Sequence, residues 1–371
     1  MAVARAGVAL ADPTFYNRCT VSSFAIRPAI AFAIIAAASL ACNRHAPPPA
    51  PRAQLIERMH QTMGTEVRVT VWASDAARVE TAVSAVFHEF DRLDAMMSVW
   101  KDGSDIVRLN AAAGERAVPV AAETREVLHI AHQISEQTDG RFDVTFAALS
   151  GLWKFDYQDK DNSIPDRKEI AKRLPLINYR DLELDDRAGT AELKRKGMRV
   201  NLGGIGKGYA VDRAVDILRR SGLRDFMIQA GGDMYVAGLR DGRPWRLGIR
   251  DPRGPADRIF AALDLTDGTF STSGDYERFF MKDGRRYHHI LDLSIGEPAR
   301  LSRSVTLVTE RAVIADALAK GVFILGPDAG MALIERTPGV QGVIVSAKNE
   351  VSISSGLRQR LILLAPPTDA P

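Results

Sequence analysis

Asn201-Leu202-Gly203-Gly204-Ile205-Gly206-Lys207-Gly208-Tyr209 joins an extended stretch, Arg199–Asn201, to a segment in which Val211, Ala214, Val215 and Leu218 share one helical face. Four glycines at a strand-to-helix turn let the backbone approach a ligand closely, and they leave helix N-terminal amides free to meet a phosphate. Lys207 adds a positive charge at the same place. General phosphate-loop patterns fail here. A Walker A loop needs Gly where Asn201 stands and Ser or Thr where Gly208 stands; a dinucleotide fingerprint begun at Gly204 needs its third glycine at Tyr209. Taken alone, the stretch fits a phosphate loop or a structural tight turn equally.

Working outward, Glu66–Trp72 alternates apolar and polar residues and is predicted as a strand with one wet face. Val79, Val83, Val86, Phe87, Phe90 and Leu93 are spaced as an amphipathic helix, and a second helix is predicted over Glu123–Gln137, stopping at Thr138-Asp139-Gly140. The polar stretch Tyr157–Asp186, with Pro165 and Pro175, reads as an insertion or lid. Further strands are expected at Phe226–Gln229, Arg246–Arg250, Ala261–Leu265, Val305–Val308, Gly339–Ser346 and Leu361–Leu364, with a helix from Arg311 to Phe323. Helices and strands mix without a regular βαβ beat, and no internal repeat is visible. The fold class is therefore α+β: one compact domain with insertions.

The 371 residues are 46% hydrophobic and 26% charged, enough for a large core. A net charge of +3 without a concentrated basic run gives no reason to expect nucleic acid as a partner. The N-terminal region differs. Arg27 precedes an apolar run from Pro28 to Ala41 that is too short to cross a bilayer but suits a signal peptide. Ser39-Leu40-Ala41-Cys42 is close to a bacterial lipoprotein cleavage box, and the Pro47–Pro49 region reads as a stiff spacer. Cys19 and Cys42 are the two cysteines, so the folded part has no disulfide scaffold. The expected organisation is a leader over 1–42, a Pro-rich linker over 43–54 and one domain over 55–366. The protein would be exported and tethered to the periplasmic side of the inner membrane through lipidated Cys42.

Two more places could carry chemistry. Asp316 lies within an apolar helix, with Lys320 four residues on and therefore on the same face. An intrahelical ion pair and a hard-cation site are both open readings. In Tyr287-His288-His289-Ile290-Leu291-Asp292, a histidine could act as general base with a nearby carboxylate to orient it.

The motifs together, in this order, resemble the FAD:protein FMN transferase (ApbE) family. They are Met63-Gly64-Thr65; Leu93 to Trp100 with Ser104 and Arg108-Leu109-Asn110; Thr138 to Thr145; Asn201 to Asp212; Ala230-Gly231-Gly232-Asp233; Ser271 to Tyr276; His289 to Asp292; and Ala315 to Ala319. The resemblance implies an ApbE-like, T-fold-related domain that moves FMN from FAD onto a Ser or Thr hydroxyl of an acceptor protein with Mg²⁺, releasing AMP. Acceptors would be subunits of membrane redox complexes. FAD pyrophosphatase activity, or flavin binding without catalysis, are the alternatives. Carried over by position, Met63, Trp100, Phe142, Asp143, Val144, Thr145, Asn201, Lys207 and Ile290 would meet the flavin nucleotide. His289 would be the base, and Asp316 and the Gly204 carbonyl would hold the metal. Lys320 stands at a third metal position, where the family commonly has Thr; it would point away, replace a cation or signal weaker metal use.

Overall fold

The strands Gln54–Thr62 and Thr65–Ala73 pair along their full length and are joined by two residues, Met63 and Gly64. Both have positive φ, 49° and 68°, as a hairpin turn matched to the right-handed strand twist requires. In this computed structural model, which describes residues 52–155 and 162–370, the hairpin is one edge of an eight-stranded sheet. From that edge the order continues through Phe226–Ala230, Asp233–Ala237, Gly268–Gly274, Ser302–Val308, Gln341–Ser346 and Val351–Ile353, every neighbouring pair antiparallel.

Side-chain alternation explains what lies on each face. Phe226, Ile228, Tyr235, Ala237, Val305, Leu307 and Ile344 point into a core shared with the helices Ala76–Met97, Gly206–Arg220 and Ala312–Arg336. Met234, Val236, Phe270, Val343 and Val345 face the other way, against Trp245, Leu247, Phe260 and Leu263 of a second, three-stranded sheet. The main sheet is thus covered on both sides. Fully burying such a Leu, Ile or Phe side chain contributes about 1.5–3 kcal/mol, so these two layers dominate the stability.

The α+β reading holds, as do the helices Ala76–Met97 and Ala122–Gln137 and seven of the predicted strands. Three expectations change. Arg199–Asn201 forms no strand, only a single parallel bridge between Arg199 and Phe146. The stretch taken as a lid is partly core, for it carries the helix Arg167–Arg173 and buries Ile170, Tyr179 and Leu182. The helix predicted to Phe323 runs to Arg336, bending at Gly326 (φ 79°) ahead of Pro327. Among the described residues it alone is long and apolar enough to cross a membrane, and its apolarity follows from its place inside the fold. The leader, Cys42 and most of the linker lie outside the described residues.

Candidate active site

The helices Gly206–Arg220 and Ala312–Arg336 cross at Gly208. A Cβ there would lie 2.4 Å from the Ala312 carbonyl oxygen and 2.8 Å from the Asp316 Cβ, so glycine sets how closely they approach. That approach lets the Gly208 amide donate to Asp316 Oδ2 at 3.0 Å. The Gly206 amide donates to Leu202 O at 2.7 Å. Of the two readings left open for this stretch, its amides favour the structural turn: those of Ile205 and Gly206 close it on Leu202 O, that of Gly203 bonds Asn201 Oδ1 and that of Gly208 holds a carboxylate.

Four charged side chains meet beside this crossing. Lys207 Nζ lies 3.2 Å from Asp233 Oδ2 and 3.8 Å from Asp316 Oδ2. Lys320 Nζ contacts Asp316 Oδ1 and also donates to the Asp316 carbonyl at 2.8 Å. Ser271 donates to Asp233 Oδ1 at 2.5 Å. Asp316 is completely buried and Asp233 nearly so, which for carboxylates demands partners. Burial works against ionisation of Asp316, but Lys207 and Lys320 outweigh it and hold its carboxyl below the usual range. Asp233 is pushed up by burial and by the neighbouring Asp316. Lys207 is desolvated too, yet Asp316 and Asp233 keep its ammonium above its ordinary value.

The second part of the site comes from the small hairpin Phe279–Lys282/Arg285–His288 and its flanks. The His289 amide donates to Arg278 O at 3.1 Å. An Arg278 Nη lies 4.0 Å from where a Cβ on Gly64 would stand, at the edge-hairpin turn. The same turn region meets Lys207 through Gly231, whose would-be Cβ sits 3.1 Å from Thr65 Oγ1 and 3.9 Å from Lys207 Cε. His289 Nδ1 is sealed from solvent without a hydrogen-bond partner. Burial, His288, Arg278 and Lys320 push this imidazole down to about 3, so it is neutral at neutral pH with a lone pair to offer.

Among the described residues no carboxylate is hydrogen-bonded to His289 Nδ1 to orient the ring. Asp292 is occupied elsewhere, 3.2 Å from Arg141 and accepting from Ser294. His288 points inward and bonds Ala299 O at 2.8 Å.

The remaining sequence candidates divide. Met63 sits at the turn in a strained positive-φ conformation, half-buried against the core. Phe142 Cε2 lies 3.4 Å from the would-be Cβ of Gly204, beside Lys320. Asp143 and Thr145 are turned inward: Asp143 accepts from the Thr145 hydroxyl and amide and from the Tyr179 amide, while Thr145 Oγ1 accepts from the Asn178 amide. These bonds fix the loop that carries Phe142. Val144 and Ile290 are buried core residues. Asn201 Oδ1 accepts from the Gly203 amide at 2.7 Å and shapes the glycine turn. Trp100 is 89% exposed, with no packing against the charged cluster. Sequence reasoning passed over Arg278, which follows the Ser271–Tyr276 motif without standing out, and quoted Asp233 without giving it a role.

The residues present do not fit a resident divalent cation. Both carboxylates of the cluster are bridged to ammonium groups, and Lys320 lies along Gly204, with Cδ 3.3 Å from the would-be Gly204 Cβ, and ends on Asp316. Among the described residues no group of three or more His, Cys, Asp or Glu side chains could hold a metal.

The ApbE family matches residues 63–344 of this chain. An FAD:protein FMN transferase of Treponema pallidum is 32% identical over 331 residues, covering 84% of this chain and 90% of that protein. One from Klebsiella pneumoniae is 29% identical, covering 77% and 83%. The ApbE protein of Thermotoga maritima, a crystal structure, superposes with a TM-score of 0.75 at 33% identity, over 83% of this chain and 99% of that one. The flavin transferase ApbE of Vibrio cholerae gives 0.74 at 26%, over 83% and 99%. With the whole site lying inside the matched span, from the Met63 turn to the Lys320 helix, the chain belongs to the ApbE family.

Proposed function

We propose that this chain is an FAD:protein FMN transferase, moving FMN from FAD onto a Ser or Thr hydroxyl of an acceptor protein with release of AMP. The observation that carries this reading is the meeting of Lys207, Arg278 and His289 at the strained Met63–Gly64 turn, within a fold shared with flavin transferases. The pyrophosphate of FAD is an anion and needs cations to bind and to bear charge as its bridge breaks. Lys207 and Arg278 supply them. His289 offers its neutral imidazole to the acceptor hydroxyl, a poor nucleophile until a base lies within hydrogen-bond reach. Burial is the main cause that holds the imidazole down, and arrival of the anion offsets only the smaller part that Arg278 and Lys320 add. Magnesium belongs to the expectation for this reaction, but the donor set described above leaves no step to assign to it.

The acceptors we propose are flavin-carrying subunits of membrane redox complexes. The chain would reach them from the periplasmic side of the inner membrane, held by lipid on Cys42; the signal-like run before that cysteine supports this placement. The test mixes the protein with FAD and a flavin-acceptor domain and follows both by mass spectrometry. Gain of one FMN by the acceptor, equimolar AMP, and loss of both in His289→Ala are expected. Free FMN and AMP with an unmodified acceptor would instead assign a pyrophosphatase.

A further inference from the structure

Lys320 occupies the space between the two groups that would otherwise hold a cation, the Gly204 backbone and the Asp316 carboxylate. Its stem runs past Gly204 and Phe142, and its ammonium uses two of three donors on Asp316, through Oδ1 and the carbonyl oxygen. The helix sets this placement, since residues four apart lie one above the other. The side chain is about one-fifth exposed, so it is not wholly sealed from a ligand entering the site. The same charge acts on Asp233 and His289, linking both halves of the cluster. A divalent cation at Asp316 would be repelled by Lys320 and would have to displace it.

We propose that the Lys320 ammonium stands in for the divalent cation, so that this chain binds FAD and transfers FMN without a metal. The proposal rests on the flavin-transfer reading given above. In the step, the acceptor oxygen forms a bond to the FMN phosphorus and the bond from that phosphorus to the bridging oxygen breaks. AMP leaves with the bridging oxygen and its electron pair. The hydroxyl proton passes to the His289 imidazole, which becomes an imidazolium and later releases it. Lys320 and Lys207 balance the charge gathering on the leaving phosphate, and no other reactant is needed.

The test uses the full chain, stripped with EDTA and assayed with EDTA or with millimolar Mg²⁺. FAD binding is read by quenching of flavin fluorescence, FMN transfer by acceptor mass, and Mg²⁺ binding by calorimetry with the metal alone. The wild type is expected to bind FAD equally in both buffers and to give no heat with Mg²⁺. Lys320→Thr is expected to lose at least about tenfold in FAD affinity in EDTA and to regain it with Mg²⁺. Wild-type FAD binding that collapses in EDTA and returns with Mg²⁺ would overturn the proposal, whatever the variant does. Equal FAD binding with no transfer in either buffer would leave metal-free binding standing and sink only the transferase reading.

Discussion

Asp212 and Asp316 cap each other's helices. Asp212, from the Gly206–Arg220 helix, accepts from the Ala312 and Val313 amides at 2.6 and 3.1 Å. Asp316, from the Ala312–Arg336 helix, accepts from the Gly208 amide at 3.0 Å. Each carboxylate satisfies first-turn amides that have no partner within their own helix, and neither helix has a side-chain cap from its own N-cap residue. The pair locks the crossing that aims Lys207 and Lys320 at one place. Asp316 is therefore as much a structural residue as a functional one.

Removing one half of this exchange should be felt in stability and geometry together. Asp212→Ala is expected to cost about 1–2 kcal/mol, the usual range for a lost cap. It also relieves a buried carboxyl that desolvation pushes up to about 6, which offsets part of the cost near neutral pH. Urea unfolding measures the balance. A variant as stable as wild type at pH 7, with FAD affinity unchanged, would show that the cap does not hold the crossing.

Gly208→Ala asks whether the close approach is required. The added methyl meets the backbone oxygen of Ala312 and the Asp316 Cβ, neither of which can swing aside. Overpacking of this kind costs typically about 1–3 kcal/mol, and here it also pushes Asp316 off its amide partner. The expected result is a lower urea midpoint and weaker FAD binding. Retention of both would mean the helices can separate without consequence.

Much of this arrangement was legible in the sequence, and the rest was not for identifiable reasons. Val79, Val83, Val86, Phe90 and Leu93 show a clean helical period because that helix buries one face only. Asp233–Ala237 showed no strand alternation because all five residues are buried, with core on both sides of the sheet. Lys207, His289 and Asp316 were found through ordered motifs. Arg278 was not, because its value comes from the hairpin that brings it opposite Gly64, a tertiary placement with no local pattern. The orienting carboxylate assumed for His289 failed for the same kind of reason: Asp292 is adjacent in sequence, but its turn aims it at Arg141 and Ser294. Asp143 and Thr145, candidates for the flavin pocket, spend their hydrogen-bonding capacity on backbone amides and on each other.

Lys207→Met tests the cation that faces both carboxylates. The fold should survive, because Asp316 keeps Lys320 and Asp233, already pushed up, can take a proton and keep Ser271. FAD affinity should fall by at least about tenfold, since an anion loses a buried counter-charge. Lys207→Arg should recover it in part, its planar fork fitting poorly where a compact ammonium sits. Fluorescence titration with FAD decides the matter, and unchanged affinity in Lys207→Met would remove Lys207 from the site.

The two adjacent histidines make a pH prediction with a definite sign. Burial pushes His288 down to about 4 and His289 to about 3, whereas each would titrate near 6.5 in the unfolded chain. As pH falls below about 6.5 the unfolded state takes up protons that the native state refuses, so stability declines from there toward about pH 3–4. Above that window the two groups contribute no slope. His288→Gln removes one titrating group, and its side-chain amide can still donate to the Ala299 carbonyl that His288 now bonds at 2.8 Å. This variant should start less stable at pH 7 because its shape is imperfect, yet lose less on acidification. Thermal melts between pH 7 and pH 4 read the slope directly. An acid slope equal to that of the wild type would assign the acid sensitivity to other buried imidazoles such as His132, which burial also pushes down; Asp316, held below the usual carboxylate range, would act only at lower pH.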